Sequence, residues 1–237
     1  MDTYPARHAL LKSGISVHDY FGKFAPLALK IGRDLLLSDF DFHPNVHDTL
    51  LIRWPTVRKH LINRLQQFKI TNDHDKDLAS SLPQLAPENA DAVILYLLPY
   101  LVDSDTRKKK SSSSVDPNSP AQDINAEIEK RKDTLLESGL TLQPMPILVG
   151  PLDAIEAVYV QVLSHRYEAD STVHGIDLAF KIFTALDCNY PEQSHSLWTV
   201  FQVACFGIKN SVPTRNRSAN ALIREILKLE FPEPDSD

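Results

Sequence analysis

Apolar residues recur at three- and four-residue spacing through most of the first hundred positions, the period of a helix with one buried face. Val17, Phe21, Phe24, Leu27, Ala28 and Ile31 form the first such series. It follows Ser16-Val17-His18-Asp19, a start like a capping box with a carboxylate in the fourth position. Pro26 is placed to divide this stretch. Asn45 is placed to cap a helix running to Ile52. Pro55 fits the first turn of another, where its missing N–H would be unpaired anyway. That helix turns Val57, Leu61, Ile62, Leu65 and Phe68 inward and Arg58, Lys59 and Arg64 outward. Pro87 opens a further helix to about Val102, ending in the longest apolar run, AVILYLLPYLV from Ala92.

The pattern then breaks. Residues 103–122, DSDTRKKKSSSSVDPNSPAQ, hold almost no apolar side chain. Such a segment cannot bury enough surface to offset its ordering entropy, and it reads as a disordered polar linker. Helical spacing resumes through Ile124, Ile128, Leu135 and Leu136, with Gly139 as a stop. Beyond it the character changes. Met145 to Val149 is a short apolar run between a proline and a glycine. Ala157 to Leu163, AVYVQVL, is rich in β-formers with partial alternation. Ser164-His165 turns it into a strand from Arg166 to Ala169, and Ala157–Leu163 offers an edge for pairing. Helix period returns at Val173, Ile176, Leu178, Phe180, Ile182, Phe183 and Leu186. Pro191 opens a helix carrying Leu197, Trp198, Phe201, Val203, Ala204, Cys205 and Phe206, which Gly207 ends. Ser218 would cap a last one from Ala219 to Phe231.

These elements predict an α+β protein, predominantly helical. A helical N-terminal part spans 1–102, a polar linker 103–122, a connecting helix 123–141, and a small domain of two or three strands and three helices 142–231. The 237 residues, 43% hydrophobic and 24% charged, suffice for a real core and exclude collagen, a wholly disordered chain and a disulfide scaffold. The net charge of −6 is the wrong sign for a protein whose main work is coating nucleic acid. Most of it lies beyond residue 144. The start of the chain shows no secretory signal, and no apolar run reaches the roughly 20 residues of a membrane helix. The expected address is therefore intracellular, nucleus or cytoplasm, with no membrane partner.

Candidate chemistry is sparse. Cys188 and Cys205 are the only thiols, both in apolar surroundings, and read as buried and reduced. His43 and His47 stand four apart beside Asp39, Asp41 and Asp48, a spacing that can hold a metal on a helix face. Pro44 lies between them and no zincin Glu follows, so a polar loop is the plainer reading. His165, His174 and His195, near Asp170, Asp177 and Glu192, form a triplet that any domain of this size offers. Nucleophile elbows and phosphate-binding loops are absent, and only seven glycines are spread along the chain. No catalytic residue, cofactor or metal site is assigned, and an enzyme is the less favoured class.

Two basic features remain. Arg107, Lys108, Lys109 and Lys110 form the only basic run, before four serines whose phosphorylation would cancel its charge. It reads as a solubilising linker or an import signal. Arg53, Arg58, Lys59 and Arg64, beside Trp54, make the best basic-aromatic patch, read either as a solvated helix face or as a nucleic-acid contact. Trp198, Phe201 and Phe206, placed beside Phe180 and Phe183, read as core.

The order PILVG, VYVQV and DLAFKIFTALDCNYPEQSHSLWTVFQVACFGI between Pro146 and Ile208 carries a resemblance. Phe180, Phe183, Leu186, Tyr190, Pro191, Trp198 and Gln202 follow an F-x-x-F-x-x-L-x-x-x-YP pattern and a helix with a central aromatic and Gln. This resembles the C-terminal region of a set of uncharacterised multicopy animal proteins of fish and insect genomes, some named as sterile-alpha-motif-like. Arg53-Trp54-Pro55 and YLLPYLV extend the likeness into the N-terminal half. The copy number of that set implies descent from mobile elements, and it supplies no catalytic residues. The expected function is a non-enzymatic protein-interaction or assembly module, with a protein partner or self-association. A nuclear nucleic-acid-associated factor is the first alternative and a metal-dependent hydrolase the second.

Overall fold

Ser16 starts the first of the expected helices as its sequence suggests. Its hydroxyl accepts the Asp19 N–H at 3.1 Å and donates to the Asp19 carboxylate at 2.7 Å, satisfying a donor that the helix leaves orphaned. The structure, a computed structural model, describes residues 4–42, 49–102, 128–130, 133, 143–208 and 215–231. The N-terminal helices are α1 (Tyr4–Lys12), α2 (Val17–Lys23), α3 (Gly32–Asp41), α4 (Leu50–Gln67), α5 (Asp73–Ser81), α6 (Pro87–Leu97) and α7 (Pro99–Val102). Strands β1 (Met145–Val149), β2 (Ala157–Val162) and β3 (His165–Ala169) follow, then α8 (Thr172–Ala185), α9 (His195–Val200) and α10 (Arg217–Ile226). The fold is α+β and predominantly helical, with one antiparallel sheet in the order β1-β2-β3.

The stretch from Val17 to Ile31 divides near its proline. Helix α2 stops at Lys23, and Ala25–Ala28 forms a 3-10 turn with Pro26 in its first positions. Leu27 is fully buried, whereas Leu29 and Ile31 are 62% and 54% exposed. Ile31 therefore lies outside the buried stripe that its spacing implied. Gly32 explains how the chain re-enters a helix so abruptly. A Cβ built there would stand 2.1 Å from the Leu27 carbonyl oxygen, so only glycine fits the crossing.

Helix α4 corrects a second expectation. Pro55 lies inside one continuous helix from Leu50, not at the start of a new one. The proline forfeits one backbone bond on an exposed flank, while Leu50, Trp54, Val57, Leu61 and Leu65 keep a single buried stripe. Helices α1 and α5 had no predicted counterpart. Asn45, residues 103–122 and most of 123–141 lie outside the described residues.

The central element is α8. Ser171 caps it, accepting the His174 N–H at 3.3 Å. It is buried on nearly every side, between the sheet on one face and α3, α4 and α6 on the other. Gly175 lets it press on β2, since a Cβ there would meet Val158 at 2.6 Å. One buried cluster accordingly runs through residues from both sides of the linker. Phe180 stacks on Phe206 with ring centroids 3.9 Å apart, and Phe40 of α3 meets both edge-on at 6.3 and 6.2 Å. The Tyr167 hydroxyl of β3 donates to the Leu27 carbonyl, and Thr49 donates to the Cys205 carbonyl. The parts expected either side of 103–122 thus share their core.

Strand β2 is the central strand, paired on both sides. The edge expected along Ala157–Leu163 does not exist. The turn is Leu163-Ser164, with Leu163 at φ 53°, and His165 belongs to β3. From this two-residue loop the register places the free backbone groups of β1 at Pro146 and Leu148, and those of β3 at Arg166 and Glu168. Pro146 lacks a donor, and Arg33 donates to the Glu168 carbonyl at 3.1 Å. Both edges are thereby blunted against strand addition. On the outer sheet face Ile128 and Ile147 bury each other, each 4% exposed, beside Met145, Val149 and Tyr159.

The helix expected from Pro191 is built in three pieces: a 3-10 turn at Glu192–Ser194, α9, and a π-helical turn at Phe201–Cys205. Trp198, Phe201 and Phe206 are buried core, as their spacing indicates. The last helix begins at Arg217, because Asn216 caps it instead of Ser218, accepting the Ala219 N–H at 3.0 Å.

Candidate functional site

The basic residues of α4 sit around the helix at angles fixed by its twist of about 100° per residue. Arg53 and Arg64 fall on one flank, Arg58 on the other, and Lys59 opposite the buried stripe. Arg53 donates to the Ala204 carbonyl at 3.0 Å, and its guanidinium lies 4.9 Å from the centre of the Phe231 ring. Arg64 and His60 meet Glu225 of α10 at 3.0 and 3.2 Å. Arg58 pairs with Asp91 at 3.5 Å. Lys59 alone of the four is exposed. The structure thus turns three of the four onto separate partners within the chain and brings no common basic face together. Trp54 is buried and donates to Asp91 at 2.7 Å, so its ring is not offered to a base. Arg107, Lys108, Lys109 and Lys110 lie outside the described residues.

The buried ionisable groups form a set that the sequence reading missed. Arg7 of α1 makes a bidentate pair with Asp39 of α3, both side chains almost fully buried. The Asp39 charge and burial together push the neighbouring Tyr20 hydroxyl up to about 12, burial being the larger cause. Asp75 of α5 accepts from Tyr96 at 3.1 Å and from Tyr100 at 2.5 Å. Asp91 of α6 joins Trp54 and Arg58. Burial raises its pKa, against the opposing pull of the Trp54 N–H and the Arg58 charge. Lys181 meets Asp177 one turn earlier on α8 at 2.7 Å, and its ammonium lies 5.6 Å from the centre of the Phe40 ring. Apart from the pair within α8, each set joins separate helices through charge-assisted bonds, Asp75 reaching both α6 and α7, and burial strengthens such bonds.

Three of these groups interrupt an apolar stripe, whereas Asp75 lies on a helix without one. Asp39 sits between Leu36 and Phe40, Asp91 before AVILYLL, and Lys181 between Phe180 and Ile182. A polar side chain on a buried face is the signal that marks them. Asp177 and Lys181 add helical i, i+4 spacing.

The three C-terminal histidines do not meet. His165 stacks on Phe21 with centroids 5.6 Å apart. His174 lies 2.8 Å from the Ser171 hydroxyl at the start of α8. His195 packs near Tyr190 and Thr199. The Ser171–His174 contact has the two groups of an acyl-transfer dyad, but Ser171 is engaged as a helix cap. Burial pushes the Cys188 and Cys205 thiols up to about 12, far from the thiolate a nucleophile requires. Among the described residues no three His, Cys, Asp or Glu side chains gather as a metal site. His43 and His47 lie outside those residues. The crevice lined by Leu50, Trp54, Leu95, Val173, Ile176 and Phe201 is too narrow for water, and the depression along Ile15, His18, Asp19, Gly22 and Lys23 is open to solvent. No helix among the described residues is long and apolar enough to cross a membrane.

Comparison with protein-family models, with curated proteins and with solved structures finds no match.

Proposed function

We propose that the protein is a non-enzymatic protein-interaction or assembly module of mobile-element descent, working inside the cell in the nucleus or cytoplasm. One observation carries the reading. Charged side chains are turned inward to join helices, while Leu29 and Ile31 before α3 and Phe42 at its end, stacked on Tyr4, stand 62%, 54% and 51% exposed. Large apolar side chains gathered on a surface mark protein contacts.

The test is sedimentation velocity of the full chain from about 1 to 200 µM, the range in which weak assemblies form. It is paired with reconstitution, from purified components, of any complex recovered from the native cell. Mass-action growth of a larger species, or a reconstituted complex with a measurable Kd, is the expected result. A chain that stays monomeric and binds no purified candidate removes the reading.

A further inference from the structure

The solvent pole of α10 carries charge of one sign. At about 100° per residue, Arg217, Ala221 and Arg224 fall within a stripe about 60° wide, opposite the buried Ala219, Leu222, Ile223 and Ile226. Lys228 continues it, because Leu227 keeps helical backbone angles and the Lys228 N–H donates to the Glu225 carbonyl at 3.2 Å. From Arg217 to Lys228 the stripe is about 16 Å long, and Arg215 stands just before it. All four cations and Ala221 are exposed, and none of the cations forms an ion pair among the described residues. Asn216 fixes the start of the helix, capping it and donating to the Ser196 hydroxyl at 3.2 Å. Arg224 Nε donates to the Asn220 carbonyl at 3.1 Å, which lays its guanidinium back along the stripe.

The sequence supplies no acid to neutralise this face. No Asp or Glu stands between Glu192 and Glu225, nor between Asp48 and Asp73. The fold sets these two acid-free stretches against each other as α10 and α4. Glu225, the one acid of α10, is taken by Arg64 and His60 of α4. Glu230, the next acid, stands beyond the stripe, where the chain turns to set Phe231 against Arg53. A chain with a net charge of −6 thus keeps one row of cations unneutralised.

We propose that this stripe docks on the phosphate backbone of a nucleic-acid duplex, without reading its sequence. Charge complementarity selects the occupant. A row of cations with no acid among them repels a copy of itself and matches a polyanion. A duplex presents a phosphate about every 1.7 Å of its axis, so a straight row of cations finds partners at any register. No large apolar side chain lies on the stripe to enter a lipid surface. No aromatic ring lies on it to stack unpaired bases, which favours a duplex over a single strand. Ala221, at its centre, lets the backbone approach closely. Three or four phosphate contacts make a weak complex, and the contact is independent of the assembly reading.

The test is fluorescence anisotropy of a labelled DNA duplex of about 20 base pairs, titrated with the full chain at about 50 mM salt, where a Kd of about 1–100 µM is expected. For three to four phosphates, affinity should fall about 40- to 150-fold between about 50 and 200 mM salt. Arg217→Ala and Arg224→Ala should each reduce the slope of log affinity against log salt by about one. That slope counts phosphates neutralised and not the fraction of chain folded, so it decides the matter even where a variant lowers the melting temperature. Arg217→Glu with Arg224→Glu should abolish binding. Lys23→Glu with Lys30→Glu, the same change of charge at exposed positions off the stripe, should leave it within about threefold. A single strand of the same length should bind more weakly. No binding of the duplex at low salt overturns the proposal, also where vesicles of anionic lipid bind instead. Binding only by a chain ending at Phe231 overturns it too, and makes the acidic residues Glu233, Asp235 and Asp237 the occupant. A slope untouched by the alanine variants, or tighter binding of the single strand, overturns it likewise.

Discussion

Replacing Gly32 by alanine sets two opposite expectations against each other. Inside a helix, alanine is favoured over glycine by about 1 kcal/mol, so propensity alone makes Gly32→Ala stabilising. The local geometry reverses the sign. The new Cβ would lie 2.1 Å from the Leu27 oxygen, 2.6 Å from its carbonyl carbon and 2.8 Å from its Cα. The obstacle is backbone, which no rotamer change can relieve. It is also pinned, with the Leu27 side chain fully buried and its carbonyl held by Tyr167. Overpacking of this kind costs roughly 1–3 kcal/mol, and an immovable neighbour argues for about 3. The net effect is a loss of about 2 kcal/mol, or about 4–8 °C in melting temperature for a chain of this size. Thermal unfolding followed by circular dichroism, with urea titration at 25 °C, measures it. Tyr167→Phe alone should cost about 1 kcal/mol, the worth of one hydrogen bond. Because Gly32→Ala already displaces the carbonyl that Tyr167 holds, the double variant should lose less than the sum. A melting temperature equal to or above the wild type would refute the steric argument.

Three further outcomes follow from the described contacts. Arg53→Ala should cost about 1–2 kcal/mol in urea unfolding through loss of its carbonyl bond and ring contact, while Lys59→Ala stays within about 0.5 kcal/mol. Equal effects would return the α4 arginines to a solvated face. Asp91 has a folded-state pKa raised by burial, so the native state holds its proton more tightly than the unfolded chain does. Its stability contribution is full below about pH 3.9 and is lost as the pH rises through the folded value. Relative to wild type, Asp91→Asn should therefore be most stable near pH 7 and lose ground toward pH 3, and the opposite trend in urea midpoints would contradict the burial argument. With both thiols at about 12, Cys188 and Cys205 should react with a disulfide reagent at pH 8 roughly three orders of magnitude more slowly than a free thiol until the protein is unfolded. Rapid labelling of the native chain would place one of them in solvent.

The strands and α8 were legible because their signals are local. Alternation and a two-residue turn give β2 and β3, and a long apolar run gives the buried helix. Helix α5 was not, since DHDKDLASS buries only Asp75 and Ala79 and so shows no apolar stripe. The Asn72 cap, accepting the Asp75 N–H at 3.1 Å, was its one local mark. Which strand is central cannot be read from β2 alone, because an apolar strand covered on both faces looks the same at an edge. The α4 cations show a similar limit. Arg53, Arg58 and Arg64 were visible as residues, but Ala204, Asp91 and Glu225, which receive them, lie far along the chain. The inward-facing charges were overlooked because helical period was read for its apolar members and not for the polar residues sharing their face.

The place of α8 between the sheet and the N-terminal helices has a consequence for how the chain is made. Phe40 closes on Phe180 and Phe206, so residues 4–102 leave the ribosome without the side chains that complete their packing. The 104 residues from Val102 to Phe206 take about 5–20 s to synthesise at 5–20 residues per second. Through that interval Leu36, Phe40 and Trp54 wait with their apolar surface uncovered. The packing of the first hundred residues is thus completed only when α8 and Phe206 have been made.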